Sequence, residues 1–129
     1  AQAAAREGAP TADGVRRRLP RRHRLTRRAE FQALFQQGRR IDRPCMTVLW
    51  VEAPGPARAG FAVSRHVTTA VRRNRVRRRL REAYRLTREA QPDGTAVVII
   101  GKPSALDAAF AALVAELREA LGALSRSLR

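Results

Sequence analysis

The stretch VRRNRVRRRLREAYRLTREA, residues 71–90, decides how this sequence folds. With residues placed every 100° around a helix, Val76, Leu80, Ala83 and Thr87 share one narrow face, with Tyr84 at its margin. Asn74, Arg75, Arg77, Arg78, Arg81, Arg85 and Arg88 fill the opposite arc; Arg73 stands at one border of the apolar strip, Arg72 and Arg79 near the other. Thr69 offers an N-cap, and Pro92, Asp93 and Gly94 a stop. The periodicity therefore predicts a helix over about 70–90 with one side against a core and the other carrying charge.

On either side of this helix the pattern becomes strand-like. GFAVS (60–64) precedes it and TAVVII (95–100) follows it. Further upstream, CMTVLWVE (45–52) is apolar on both faces, Met46, Val48 and Trp50 on one side and Leu49 and Val51 on the other, so both faces need cover. Pro54, Gly55 and Pro56 make a turn between 45–52 and 60–64, which predicts an antiparallel hairpin of those two strands. Residues 27–37 place Phe31, Leu34 and Phe35 at i, i+3 and i+4 with Gly38 as C-cap, a short first helix. Ser104 and Asp107 give the Ser-x-x-Asp start of a last helix whose stripe is Leu106, Phe110, Leu113, Leu117, Leu121 and Leu124. The order helix, strand, strand, long helix, strand, helix predicts a small α+β domain with helices against a sheet. Residues 1–15, rich in Ala and Gly, are expected to be a disordered tail, and 16–129 a single domain. The latter opens on an arginine-rich arm interrupted by Pro20.

The chain carries 27 Lys or Arg against 11 Asp or Glu, a formal charge of +16. The excess is local: residues 16–88 hold 22 basic and 4 acidic residues. A like-charged cluster this dense opposes folding unless an anionic partner neutralises it, and a polyphosphate is the usual one. Only Lys102 is lysine, and guanidinium groups fork hydrogen bonds onto phosphate and stack on bases. Within the long helix Glu82 and Glu89 alone offset the arginines. Arg72, Arg73 and Arg75 sit in the first turns, where the helix dipole is positive and each misplaced charge costs up to roughly 1 kcal/mol. Phosphate bound there would reverse the sign of that cost. The apolar strip is too narrow for a membrane-surface helix. Phe31, Phe35 and Trp50 form a second candidate surface: either they are core, or one face of strand 45–52 is an open cleft in which aromatics beside Arg39, Arg40 and Arg43 stack single-stranded bases.

Several classes are excluded by what the sequence lacks. Cys45 stands alone, so no internal disulfide or cysteine-rich zinc site is expected, and a reducing cytoplasm fits. No apolar run approaches a membrane span, and the start reads neither as a secretory signal nor as a transit peptide. His23 and His66 each adjoin arginine, and Glu30, Asp42, Glu52 and Glu82 are too scattered for a two-metal nuclease. No catalytic side chain and no metal ligand is expected.

The run GFAVSRHVTTAVRRNRVRRRLREAYR (60–85) resembles the signature of the bacterial ribonuclease P protein component, with Arg73-Asn74-Arg75 and then Arg77, Arg78 and Arg81 at its centre. Arg24-Leu25, Glu30-Phe31, Phe35, Gly38, Val48 to Trp50, Val98-Ile99-Ile100 and Lys102-Pro103 follow in family order, so the resemblance spans about 19–124. Departures are Arg65-His66 in place of a lysine pair and Thr68 in place of glycine. The resemblance implies a two-layer α/β sandwich, helices on a mixed sheet, with a left-handed βαβ crossover as in ribosomal-type folds. It implies a cytoplasmic subunit of a tRNA 5′-maturation endoribonuclease whose catalysis is performed by its RNA with Mg²⁺, with ribonuclease P RNA and precursor tRNA as partners and neither membrane nor small-molecule cofactor. By position, Arg65, Arg72, Arg73, Asn74, Arg75, Arg77, Arg78, Arg81 and Arg85 would contact RNA. Phe31, Phe35, Val48 and Trp50 with Arg40 would line the cleft that takes the 5′ leader. The competing reading is a structural rRNA-binding protein with no processing role.

Overall fold

The computed structural model describes residues 28–128; the tail and the basic arm expected before the first helix lie outside this range. The elements run α1 (Arg28–Gln37), β1 (Arg39–Asp42), β2 (Met46–Glu52), β3 (Arg58–Val63), α2 (Ala70–Thr87), a 3-10 turn Arg88–Ala90, β4 (Thr95–Gly101), a 3-10 turn Pro103–Leu106 and α3 (Phe110–Ser127). The four strands form one sheet in the order β1-β2-β4-β3. β4 runs antiparallel to β2, Val48 opposite Ile99, and parallel to β3, Phe61 opposite Ile99. α2 is thus the crossover of a parallel β3-α2-β4 unit, and the sheet is mixed, as expected. The expected β2–β3 hairpin does not form. β4, apolar in every residue from Ala96 to Ile100, takes the central place because there it pairs along both edges and is covered on both faces.

Alternation along the strands sorts the core into two layers. Met46, Val48, Trp50, Ala59, Val63, Val97 and Ile99 face α2 and α3, meeting Val76, Leu80, Ala83 and Tyr84 of α2 and Leu113, Leu117, Leu121 and Leu124 of α3. On the other face, Ala96 and Val98 meet Leu34 of α1, with Phe31, Val51, Ala62 and Ile100 half-buried around them. The long helix is as the periodicity predicts: Val76, Leu80, Ala83, Tyr84 and Thr87 are its buried residues, and Thr69 Oγ1 accepts from the Arg72 amide at 3.2 Å. The last helix starts later than Ser104 predicts. The Ser104 hydroxyl donates to the Pro44 carbonyl at 2.9 Å, so it caps nothing, and α3 begins at Phe110 after the 3-10 turn.

Where α2 returns to β4, a buried polar network takes the place of apolar packing. Tyr84 Oη donates to Gln91 Oε1, and Gln91 Nε2 donates to the Arg58 carbonyl at 3.2 Å and to Thr95 Oγ1 at 3.0 Å. Burial pushes the Tyr84 phenol well above its ordinary range, so it remains a neutral donor. Gln91→Leu keeps the volume and strands these partners, with an expected loss of about 1–3 kcal/mol in urea denaturation. An unchanged midpoint would show that water replaces the amide.

Candidate nucleic-acid interface

The parallel unit places the end of β3, the start of α2 and the end of β4 at one end of the sheet, where the Ser64 amide donates to the Gly101 carbonyl at 2.8 Å. Arg65 and His66 stand exposed at the tip of that turn, and α2 opens just after it. No acidic residue occupies the first turn of α2. Arg72, Asn74, Arg75 and Arg78 are exposed, and among the described residues their side chains have no hydrogen-bond or ion-pair partner. Exposed guanidinium groups beside free helix N–H groups suit phosphate oxygens.

The remaining arginines of α2 are engaged to different degrees. Arg81 is half-buried with its guanidinium carbon 5.9 Å from the Phe61 ring centre, a cation–π contact. Arg77 is half-buried. Arg85 is paired with Glu82, whose carboxylate raises the arginine's already high pKa. Arg73 departs from the expectation of an RNA-contacting side chain: it is turned inward onto backbone carbonyls of the β3–α2 turn. Arg79, which the resemblance does not assign, likewise donates to the carbonyls of Leu106 at 2.8 Å and of Ala108. Both stand at the borders of the apolar strip, the positions from which a long side chain reaches neighbouring backbone.

The aromatic set is not brought together. Val48 and Trp50 lie in the layer under α2 and α3, Trp50 2% exposed, with the Arg39 guanidinium 4.9 Å from its ring centre. Phe31 and Phe35 belong to α1 on the opposite face, where Phe35 is 52% exposed. Trp50 is therefore a core residue, and the same holds for Val48. The surface beside α1 is floored instead by Val51, Ala62 and Ile100, all half-buried, which sequence reasoning did not single out. Arg40, opposite Leu49 in register, shares this face and bonds Asp42 at 3.0 Å. The Arg40 and Thr47 bonds hold the Asp42 carboxyl at about 2. This contribution is complete above the ordinary carboxylate range and fades only as pH falls toward 2.

Among the described residues no three His, Cys, Asp or Glu side chains gather to hold a metal ion, and no helix is long and apolar enough to cross a membrane. Fold and site define a small α+β protein whose crossover helix carries exposed arginines along its outer side. The family model described as Ribonuclease P matches residues 19–125. The ribonuclease P protein component of Gluconacetobacter diazotrophicus is 43% identical over 78% of this chain and 90% of its own length. That of Desulfovibrio desulfuricans is 44% identical over 85% of this chain and 88% of its own. The ribonuclease P protein of Thermotoga maritima superposes with a TM-score of 0.69 at 26% identity, over 78% of this chain and 96% of the other. The chain belongs to the ribonuclease P protein family, as a subunit of the bacterial enzyme, and the structural rRNA-binding alternative finds no support.

Proposed function

We propose that the chain is the cytoplasmic protein cofactor of a ribozyme that removes the 5′ leader of precursor tRNA. The exposed arginines Arg72, Arg75 and Arg78 carry this reading, because among the described residues nothing pairs with them and a phosphate backbone would. Arg65, Arg72, Asn74, Arg75, Arg77, Arg78, Arg81 and Arg85 form the face toward the catalytic RNA. The leader lies on the opposite sheet face, along Phe31, Phe35 and the floor of Val51, Ala62 and Ile100, with Arg40 beside it. Mg²⁺, held mainly by the catalytic RNA, would supply the chemistry of hydrolysis. The protein supplies charge and shape and no catalytic side chain.

The direct test is cleavage of a leader-bearing precursor tRNA at low Mg²⁺ by a bacterial ribonuclease P RNA, with the protein present, absent and alone. Cleavage should require both components. Tight RNA binding without stimulation would overturn the proposal, and cleavage by the protein alone would point to a nuclease. Arg75→Ala should weaken binding to the ribozyme RNA by roughly 1.5–3 kcal/mol, the worth of a charge-assisted hydrogen bond, with the melting temperature unchanged. The parent's log K should fall with log salt by about 0.9 for each phosphate neutralised in a duplex. Phe35→Ala should lower affinity for the leader-bearing substrate by roughly 1–3 kcal/mol if a base stacks there. Mature tRNA should bind as before, and an equal loss for both would remove Phe35 from the leader path.

A further inference from the structure

Three carbonyl oxygens of the β3–α2 turn converge on one guanidinium. Arg73 Nη1 donates to Ser64 O and to Val67 O, each at 3.0 Å, and Nη2 donates to Val63 O at 3.2 Å. The side chain is half-buried, and its own amide donates to Thr69 O at 2.9 Å as the first hydrogen bond of α2. The turn is tied at other points too: Ser64 N to Gly101 O at 2.8 Å, Val67 N to Ser64 O at 3.0 Å, and the Val67 side chain buried in the core. Arg65 and His66 are left at the tip, exposed, between two carbonyls that Arg73 holds.

We infer that Arg73 is a positioning residue. It fixes residues 63–67 so that Arg65 and the first turn of α2 meet the RNA backbone as one preformed set, and it does not itself touch phosphate. The chemistry favours arginine here, because its donors lie on two nitrogens of a planar fork and reach acceptors spread around it, whereas an ammonium gathers its three donors on one nitrogen at the end of a shorter stem. Holding the turn in advance removes the ordering cost that a loose Arg65 would incur on binding. The inference rests on the reading of this face as an RNA surface, and it reverses the contact role that the family signature implies for this side chain.

The test uses the full chain, equilibrium binding to a bacterial ribonuclease P RNA, and amide hydrogen exchange of the free protein. Arg73→Met should speed exchange at Ser64 and Val67 by about tenfold or more while β4 amides keep their protection. Arg73→Met and Arg65→Ala should each weaken binding by roughly tenfold or more. Their combination should be little worse than the worse single variant, because the loss at 73 is exerted through 65. Arg73→Lys keeps the charge and should bind almost as poorly as Arg73→Met. Full recovery in the lysine variant, or strictly multiplicative losses in the double variant, would mean that Arg73 contacts phosphate directly and would overturn the inference. If Arg65→Ala binds like the parent while Arg75→Ala does not, the positioning role falls and the RNA face stands. If Arg65, Arg75 and Arg78 can all be replaced without loss, the RNA face itself is wrong and the inference falls with it.

Discussion

Trp50→Ala is expected to cost about 3–5 kcal/mol of unfolding free energy, the range for emptying a buried aromatic site. Trp50 is 2% exposed, sits opposite Val97 in the register of the two central strands, and belongs to the layer formed with α2 and α3. Arg39 lies over its ring at the sheet edge, so the indole also closes the core where β1 begins. Urea unfolding monitored by far-UV circular dichroism checks the figure. A loss below about 1 kcal/mol would mean that the indole packs far less than a core residue does. The same residue separates two uses of tryptophan: as a stacking platform it would be quenched by a leader oligonucleotide in the native protein, and as core its emission should not respond.

Gly101→Ala is the second large effect, and it acts by excess of volume. A methyl group at this position would lie 2.3 Å from Val76 Cγ1 and 3.0 Å from Leu80 Cδ1. Both side chains are fully buried on the inner face of α2, so neither can swing into solvent. The helix must move off β4 or the strand must bend, at an expected cost near 3 kcal/mol, the upper part of the usual range for overpacking. Because the same helix carries Arg72, Arg75 and Arg78 on its outer side, the displacement should also weaken RNA binding, which Val76→Ala in the Gly101→Ala background should partly restore. A variant as stable as the parent would show that α2 has slack against the sheet. The glycine is thus needed for close approach and not for its backbone angles: among the described residues only Gly55 and Gly94 have positive φ.

The long helix was legible because period, cap and stop agreed with one another and with burial on folding. Strand pairing was not. Residues 45–52, 60–64 and 95–100 are each apolar enough to pair with either of the others, and local order favours the neighbour across Pro54-Gly55-Pro56. The choice is made by a long-range gain: β4 in the centre buries both its faces and satisfies both its edges. β1, with the sequence RRID, is short, charged and largely exposed, so it carries no periodic signal at all. The same limit explains the aromatic set. Alternation shows that Val48 and Trp50 point away from Leu49 and Val51, but which side α1 covers depends on the topology. Within α2 the wheel separated inside from outside correctly. Arg73 and Arg79 at the borders were the positions it could not assign, since their partners are backbone carbonyls of other segments.

The place of β4 also orders events at the ribosome. The strand that joins the β1–β2 pair to β3 is the last of the four to be made, so β2 and β3 emerge without a shared ladder and must wait for it. A nascent chain that stops before residue 95 has an arginine-rich helix but no partner for β3 and none for the second edge of β2, and these apolar strand edges stay open to other chains. Folding is then governed by a contact made late and far along the sequence, the kind that slows the search for the native state. Until that contact closes, the positive charge of the chain is its main defence against self-association.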